Sequence, residues 1–206
     1  MHKNKILLYG ASGHAKVICS ICESLSLVIE AIFDDNCEID NLYQYNVKHK
    51  YDKNYKTDLP LLISIGSNKV RKMISQQIVH SFTTLIHPSS IVDVSVNFGV
   101  GTAIFHSATI QRDSLIGNHC IINTNASIDH DCFIDDYVHI SPSATLCGNV
   151  QVGEGTHIGA GATILPNIKI GKWCVIGGGA VITKDIPNYS LVVGVPGKII
   201  KMLQNE

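Results

Sequence analysis

Asp129-His130-Asp131 places one imidazole between two carboxylates, with the apolar Ile128 and Cys132 on either side. A neighbouring carboxylate stabilises the imidazolium and fixes the ring tautomer, raising basicity from an ordinary pKa of about 6.5. That suits a general base that removes a proton from an amine or hydroxyl as it attacks a carbonyl. Four more histidines, His106, His119, His139 and His157, lie in the same stretch. None falls in the large apolar register described below, so each is expected to face solvent or a neighbouring subunit rather than the core.

A second constellation stands near the amino end. Lys5 to Tyr9 reads as a short buried strand, Gly10-Ala11-Ser12-Gly13-His14-Ala15 follows, and then Val17, Ile18, Ile21, Cys22 and Leu25 recur at helical spacing. Strand, glycine turn and helix in that order bring backbone N–H groups to an anion at the positive end of the helix. Leu27 to Phe33 and Leu61 to Ile65 read as two further strands, ending on Asp34-Asp35 and Gly66-Ser67-Asn68. Ligands of open parallel sheets bind at such carboxyl ends, and acidic tips accept hydrogen bonds from a ribose or base. Val70 to Val79 reads as a returning helix, and 37–58 as a connection holding at most one short strand.

What positions His130 is a repeat. From Ile86 to Ile182 a large apolar residue stands at every sixth position without a slip, through Phe98, Ile110, Ile122, Ile134, Leu146, Ile158 and Ile170. Four residues after each comes a small or β-branched one, such as Ala108, Cys120, Cys132, Ala144 and Cys174. Period six fits neither an α-helix nor a lone strand and marks a parallel β-helix, each hexad forming one flat face of a coil. Glycine often follows the large residue, as at Gly99, Gly117 and Gly159, and is expected there for positive φ at a sharp corner. The expected organisation is an α/β, Rossmann-like three-stranded parallel domain over 1–84, a β-helix over 85–184 and a capping tail over 185–206. The prolines and glycines of that tail are expected to stop the coil and cover its open end.

Composition bounds the function. Among 206 residues 45% are hydrophobic and 16% charged, as in a globular chain with ample core, and a formal net charge of −1 leaves no footprint for nucleic acid. No apolar run reaches the roughly 20 residues that span a bilayer, and Met1 to Lys5 leads into a strand, not an export signal. Seven cysteines without framework spacing are expected to be reduced thiols in the cytoplasm. Cys120, Cys132 and Cys174 fall in the small register, and Cys19 and Cys22 share one helix face, so packing is expected of all five.

Taken together, the hexad array, Gly10-Ala11-Ser12-Gly13-His14, Asp34-Asp35, Ile65-Gly66-Ser67-Asn68, His130-Asp131-Cys132 and Val193-Gly194-Val195-Pro196 resemble the left-handed β-helix sugar acyltransferases. The branch they are most similar to contains the nucleotide-sugar N-acetyltransferases of bacillosamine type and the sialic acid O-acetyltransferases. The left-handed sense comes from the resemblance alone. It implies His130 as general base with Asp131 orienting it, where bacillosamine enzymes carry Glu. It further implies acetyl-CoA contacts at His139, Gly148, Ala160 and Gly178, with Gly148 N–H facing the thioester oxygen. Nucleotide-sugar contacts are implied at Ser12, Gly13, His14, Asp34, Asp35 and Gly66. The implied enzyme is a cytoplasmic homotrimer with active sites between subunits and no need for metal. It acetylates the 4-amino group of a UDP-linked 4-amino-4,6-dideoxysugar for bacterial surface glycans or glycoproteins. Sialic acid O-acetylation is the alternative. A γ-carbonic-anhydrase-like metal lyase, using three of the histidines, is a remote one that leaves the amino-terminal domain without a role.

Overall fold

The computed structural model describes residues 4–203. The reading of the first residues as strand-leading, and the last of the tail, fall partly outside them. Strand β1 (Lys5–Tyr9), helix α1 (Gly13–Ser24), strand β2 (Val28–Phe33), strands β3 (Asn41–Leu42) and β4 (Tyr45–Lys48), strand β5 (Leu61–Ile63) and helix α2 (Asn68–Ser75) form the amino-terminal unit. Its sheet has the order β3-β4-β2-β1-β5. The three expected strands are present and parallel, but the sheet has five strands. β4 adds parallel to β2, and β3 folds back on β4 as an antiparallel hairpin. That polar, tyrosine-rich segment shows too little alternation to reveal either strand. Helix α2 starts two residues earlier than the periodicity suggests and ends at Ser75. Cys19 and Cys22 are buried with Ile18 and Ile21 against β1 and β2, as packing residues.

From Leu85 onward the chain coils as a parallel β-helix of two-residue strands, each ending on a large apolar residue. Three faces result. One begins at Leu85–Ile86 and carries Ala103–Ile104, Ile121–Ile122, His139–Ile140, His157–Ile158 and Val175–Ile176. We call it the seam face, because Leu85, Ala103, Phe105 and Ile121 pack against α1 and β1 of the amino-terminal unit. The second face runs from Ile91–Val92 to Val181–Ile182, and the third from Asn97–Phe98 to Lys169–Ile170. From Ile104 onward the large residues are buried in one continuous core. Each full burial of an isoleucine contributes roughly 1.5–3 kcal/mol.

The small register does more than fill space. Thr102, Ser114, Cys120, Cys132 and Thr156 each donate to a carbonyl fifteen residues on, at Gly117, Asp129, Asp135, Cys147 and Gly171. The hydroxyls of Thr102, Ser114 and Thr156 also accept from the N–H of the residue one coil later. The corners thus satisfy buried backbone groups that two-residue strands leave over.

Two expectations are corrected here. The glycines after the large residues do not adopt positive φ; the left-handed position is the third after the large residue, held by Ser107, Asp113, Asn125, Asp131 and Asn149 among others. Glycine is required two steps earlier for close approach: a Cβ on Gly159 would lie 2.5 Å from the Ile176 carbonyl oxygen. The tail also does not stop the coil at Ile182. Ile186 bridges to Ile170, and Ser190–Val193 pairs in parallel with Val175–Ile176, before Lys198–Met202 returns antiparallel as the edge strand. Proline and glycine lie in the connections of this last rung, where they break no ladder.

Candidate active site

The corner between the second and third faces holds His130. Nδ1 lies 2.8 Å from Asp131 Oδ2, and Asp129 Oδ1 accepts the His130 backbone N–H at 2.8 Å. Asp131 occupies the left-handed corner position, φ 59°, which aspartate tolerates well. The imidazole and its carboxylate are both more than half exposed. The hydrogen bond to Asp131, followed by the charge of Asp129, holds the His130 pKa above its ordinary value. With Nδ1 donating to Asp131, Nε2 carries the lone pair. One coil on, Gly148 lies under the ring, where an added Cβ would stand 2.7 Å from His130 Cε1 and Nε2. Its N–H has no acceptor among the described residues, whereas the N–H of His130, at the same corner position, is capped by Asp129. A free N–H beside a basic ring is what an oxyanion site requires.

His139 is elsewhere. It lies on the seam face, stacked on His157 with centroids 4.8 Å apart and 6.2 Å from His14, whose ring stacks on Phe105. Asn123 Nδ2 contacts His139 Nε2 at 3.1 Å, and Nδ1 has no partner among the described residues. Burial, reinforced by His157 and Arg71, pushes the His139 pKa down to about 3; burial and Arg71 push His14 down to about 4. These rings are neutral at ordinary pH, opposite in tendency to His130. His119 is buried as well, between Phe82 and Tyr137. The expectation that the histidines face outward fails for His119 and His139, because the amino-terminal unit covers the seam face.

Ala160 and Gly178 sit one coil apart on the corner between the seam and second faces, exposed, with a Gly178 Cβ position 3.3 Å from the Ala160 carbonyl oxygen. They make a smooth strip of small residues on the surface. At the sheet tips, Ser12 is the N-cap of α1 but makes no side-chain capping bond, leaving its hydroxyl free beside Gly13. Asp34 Oδ2 accepts the Ala11 N–H at 2.7 Å, and Asp35 Oδ2 accepts the Tyr9 hydroxyl at 2.7 Å. Both carboxylates are therefore partly engaged in shaping the turn. A cleft of about 860 Å³ opens beside Gly66 and Ser67, between α2 and the seam face at His157 and Trp173, and is bounded below by Tyr189 and Met202.

One chain therefore brings together His130, Asp131 and Gly148, and separately Ser12, Gly13, His14, Gly66 and His139. Ala160 and Gly178 form a third locus. One residue went unnoticed in the sequence, Arg71, since an arginine on a short helix carries no motif of its own; Asn68 entered only as part of the Gly66-Ser67-Asn68 tip.

Comparison with known proteins bears on this arrangement. Residues 5–78 match the PglD N-terminal domain family, and 131–165 and 149–184 match the bacterial transferase hexapeptide family (six repeats). A perosamine N-acetyltransferase from Caulobacter crescentus, solved with CoA and GDP-perosamine as a histidine-substituted variant, superposes with a TM-score of 0.89. It is 32% identical, over 96% of this chain and 97% of that one. The acetyltransferase domain of PglB from Neisseria gonorrhoeae gives a TM-score of 0.89 at 31% identity, over 96% and 100% of the two chains. The chain belongs to the bacillosamine-type hexapeptide sugar N-acetyltransferases. Its β-helix is accordingly of the left-handed class. A UDP-N-acetylbacillosamine N-acetyltransferase from Bacillus subtilis is 39% identical over 108 residues, 48% of this chain and half of that relative's length. Among the described residues no helix is long and apolar enough to cross a membrane.

Proposed function

We propose that the protein transfers the acetyl group of acetyl-CoA to the 4-amino group of a nucleotide-linked 4-amino-4,6-dideoxysugar, UDP-linked by our reading, with His130 as general base. The observation that carries the reading is the pair His130–Asp131 over the free N–H of Gly148. As the amine attacks the thioester carbonyl, the N–C bond forms and Nε2 takes the amine proton. The oxyanion of the tetrahedral intermediate accepts from Gly148 N–H. Collapse breaks the C–S bond, and the imidazolium returns its proton to the departing thiolate, leaving no covalent enzyme intermediate.

The acceptor belongs at the amino-terminal tips, where Ser12, Gly13, His14, Asp34, Asp35 and Gly66 gather, and the cleft beside Gly66 has the volume of an ordinary ligand site. The acetyl donor belongs along the strip of Ala160 and Gly178, and by our reading it also reaches His139 on the seam face. His130 stands on a corner away from the seam face, so the reading needs a second copy to complete each site, and a homotrimer does this. Support for a diphosphate-linked amino sugar comes from the CoA and GDP-perosamine complex of the Caulobacter relative, and for UDP from the name of the Bacillus relative. The product would enter bacterial surface glycan or glycoprotein synthesis.

The test is thiol release from acetyl-CoA with UDP-, GDP- and dTDP-4-amino-4,6-dideoxysugars, free and CMP-linked sialic acid serving as controls. A UDP-amino sugar giving kcat/KM above about 10⁴ M⁻¹s⁻¹ supports the reading. Preference for GDP or dTDP overturns the UDP assignment, and reaction with sialic acid alone overturns the acceptor class. His130→Ala is expected to lower kcat about 10²–10⁴-fold; turnover within about threefold of wild type would sink the base assignment.

A further inference from the structure

Arg71, on α2, is 1% exposed, and among the described residues no carboxylate pairs with its guanidinium. All five N–H groups are spent on neutral acceptors. Nη1 donates to the Ile65 and Gly66 carbonyls at 3.0 and 3.2 Å. Nε donates to the His119 carbonyl at 2.7 Å, and Nη2 to Asn68 Oδ1 at 2.8 Å and the Tyr137 carbonyl at 3.0 Å. Asn68 Nδ2 in turn donates to the Gly155 and Thr156 carbonyls at 3.0 and 3.3 Å. His119, Tyr137 and Gly155 are the same corner position on three successive coils. One side of the fork thus holds the turn after β5, and the other side, extended by Asn68, holds three rungs of the β-helix.

A buried cation without an anionic partner is a poor way to gain stability, since desolvation is costly and an apolar side chain fills the space better. What arginine supplies is a planar fork of fixed geometry, which a lysine ammonium lacks. We infer that Arg71 is a positioning residue for the acceptor: it fixes the Ile65-Gly66 turn against the β-helix and so sets affinity for the nucleotide sugar, without contacting the acetyl donor. This rests on the placement of the acceptor at Gly66 proposed above. A turn displaced by even about 1 Å loses pre-organised contacts, and losses of tenfold to a hundredfold are ordinary for such a shift.

The experiment is a comparison of Arg71→Lys, Asn68→Ala and Gly66→Ala with wild type, measuring KM for each substrate, kcat, and the shift in Tm that each substrate produces. Arg71→Lys keeps the charge and removes the fork. The expected result is a rise of about tenfold or more in KM for the nucleotide sugar, with KM for acetyl-CoA within twofold and kcat within threefold. The Tm shift with nucleotide sugar should shrink while that with CoA persists. Unchanged KM values, or equal rises for both substrates, overturn the inference, the second outcome marking general loosening of the chain. Should Arg71→Lys fail to fold, Asn68→Ala is read by the same criteria and decides.

Gly66→Ala tests the premise separately. A Cβ there meets nothing closer than the His14 ring at 3.8 Å, so the fold accepts it. Wild-type KM for the nucleotide sugar in Gly66→Ala would remove the acceptor from this turn whatever Arg71 does. A raised KM in Gly66→Ala beside an unchanged one in Arg71→Lys would remove only the role of Arg71.

Discussion

At the scale of single residues, His130 differs from the buried histidines near the seam by what surrounds it. Asp131 and Asp129 raise its pKa, while burial lowers those of His14, His119 and His139. A base with a raised pKa is protonated, and useless, below that value. The acid limb of kcat/KM is therefore expected above about 6.5, the ordinary histidine value. Asp131→Asn keeps a residue that tolerates the left-handed corner but removes the carboxylate. The limb should then move to lower pH while the plateau drops roughly tenfold or more with the lost basicity, as a pH–rate profile of the pure variant will show. A limb that stays in place would mean that Asp131 does not tune the ring. The Asp-His-Asp bracket was legible in the sequence because its parts are adjacent in the chain. Arg71 was not, because its partners at His119 and Tyr137 are remote in sequence and are backbone carbonyls, which no side-chain motif announces.

At the scale of elements, the hexad count revealed the β-helix and both inward registers, since each depends on side-chain size at a fixed step. It misassigned the glycines, because size alone does not distinguish a residue that must be absent of Cβ for a neighbouring coil from one that must turn left-handed. Asn125, Asp131 and Asn149 mark the left-handed step equally well in the sequence. Gly148 is a glycine of the first kind, with a side chain as its neighbour: a methyl there collides with the His130 ring. Gly148→Ala is expected to turn the exposed imidazole out of place and lower kcat at least about tenfold, with Tm within a few degrees of wild type. Wild-type kcat in that variant would show that the ring does not work from above Gly148.

At the scale of the whole molecule, the amino-terminal turn and the His130 corner lie on different sides of the coil, and the sequence could not show this because a face assignment needs the start of the first coil. The trimer reading makes a sharp demand. His130→Ala and Ser12→Trp, each expected to be inactive alone, should recover activity when co-expressed, since a mixed trimer joins an intact turn from one chain with an intact base from the next. Random mixing gives roughly a quarter of wild-type turnover. No recovery at all would mean that each chain holds a complete site. The coil itself adds a constraint of another kind. From Leu85 to Ile182 partners on each face are eighteen residues apart, as His139 is from His157 and Thr145 from Thr163; in the last rung Leu191 meets Val175, and Ile186 meets Ile170, after sixteen. Adding or removing eighteen residues lifts a side chain by one strand spacing, about 4.8 Å, and returns it to the same corner, whereas six residues carry it to the next face. Distance along this scaffold is thus graduated like the teeth of a rack: on the proposed reading, a lineage that needs a longer or shorter acceptor can move the base only by whole teeth, and every finer adjustment falls to the turns of the amino-terminal sheet.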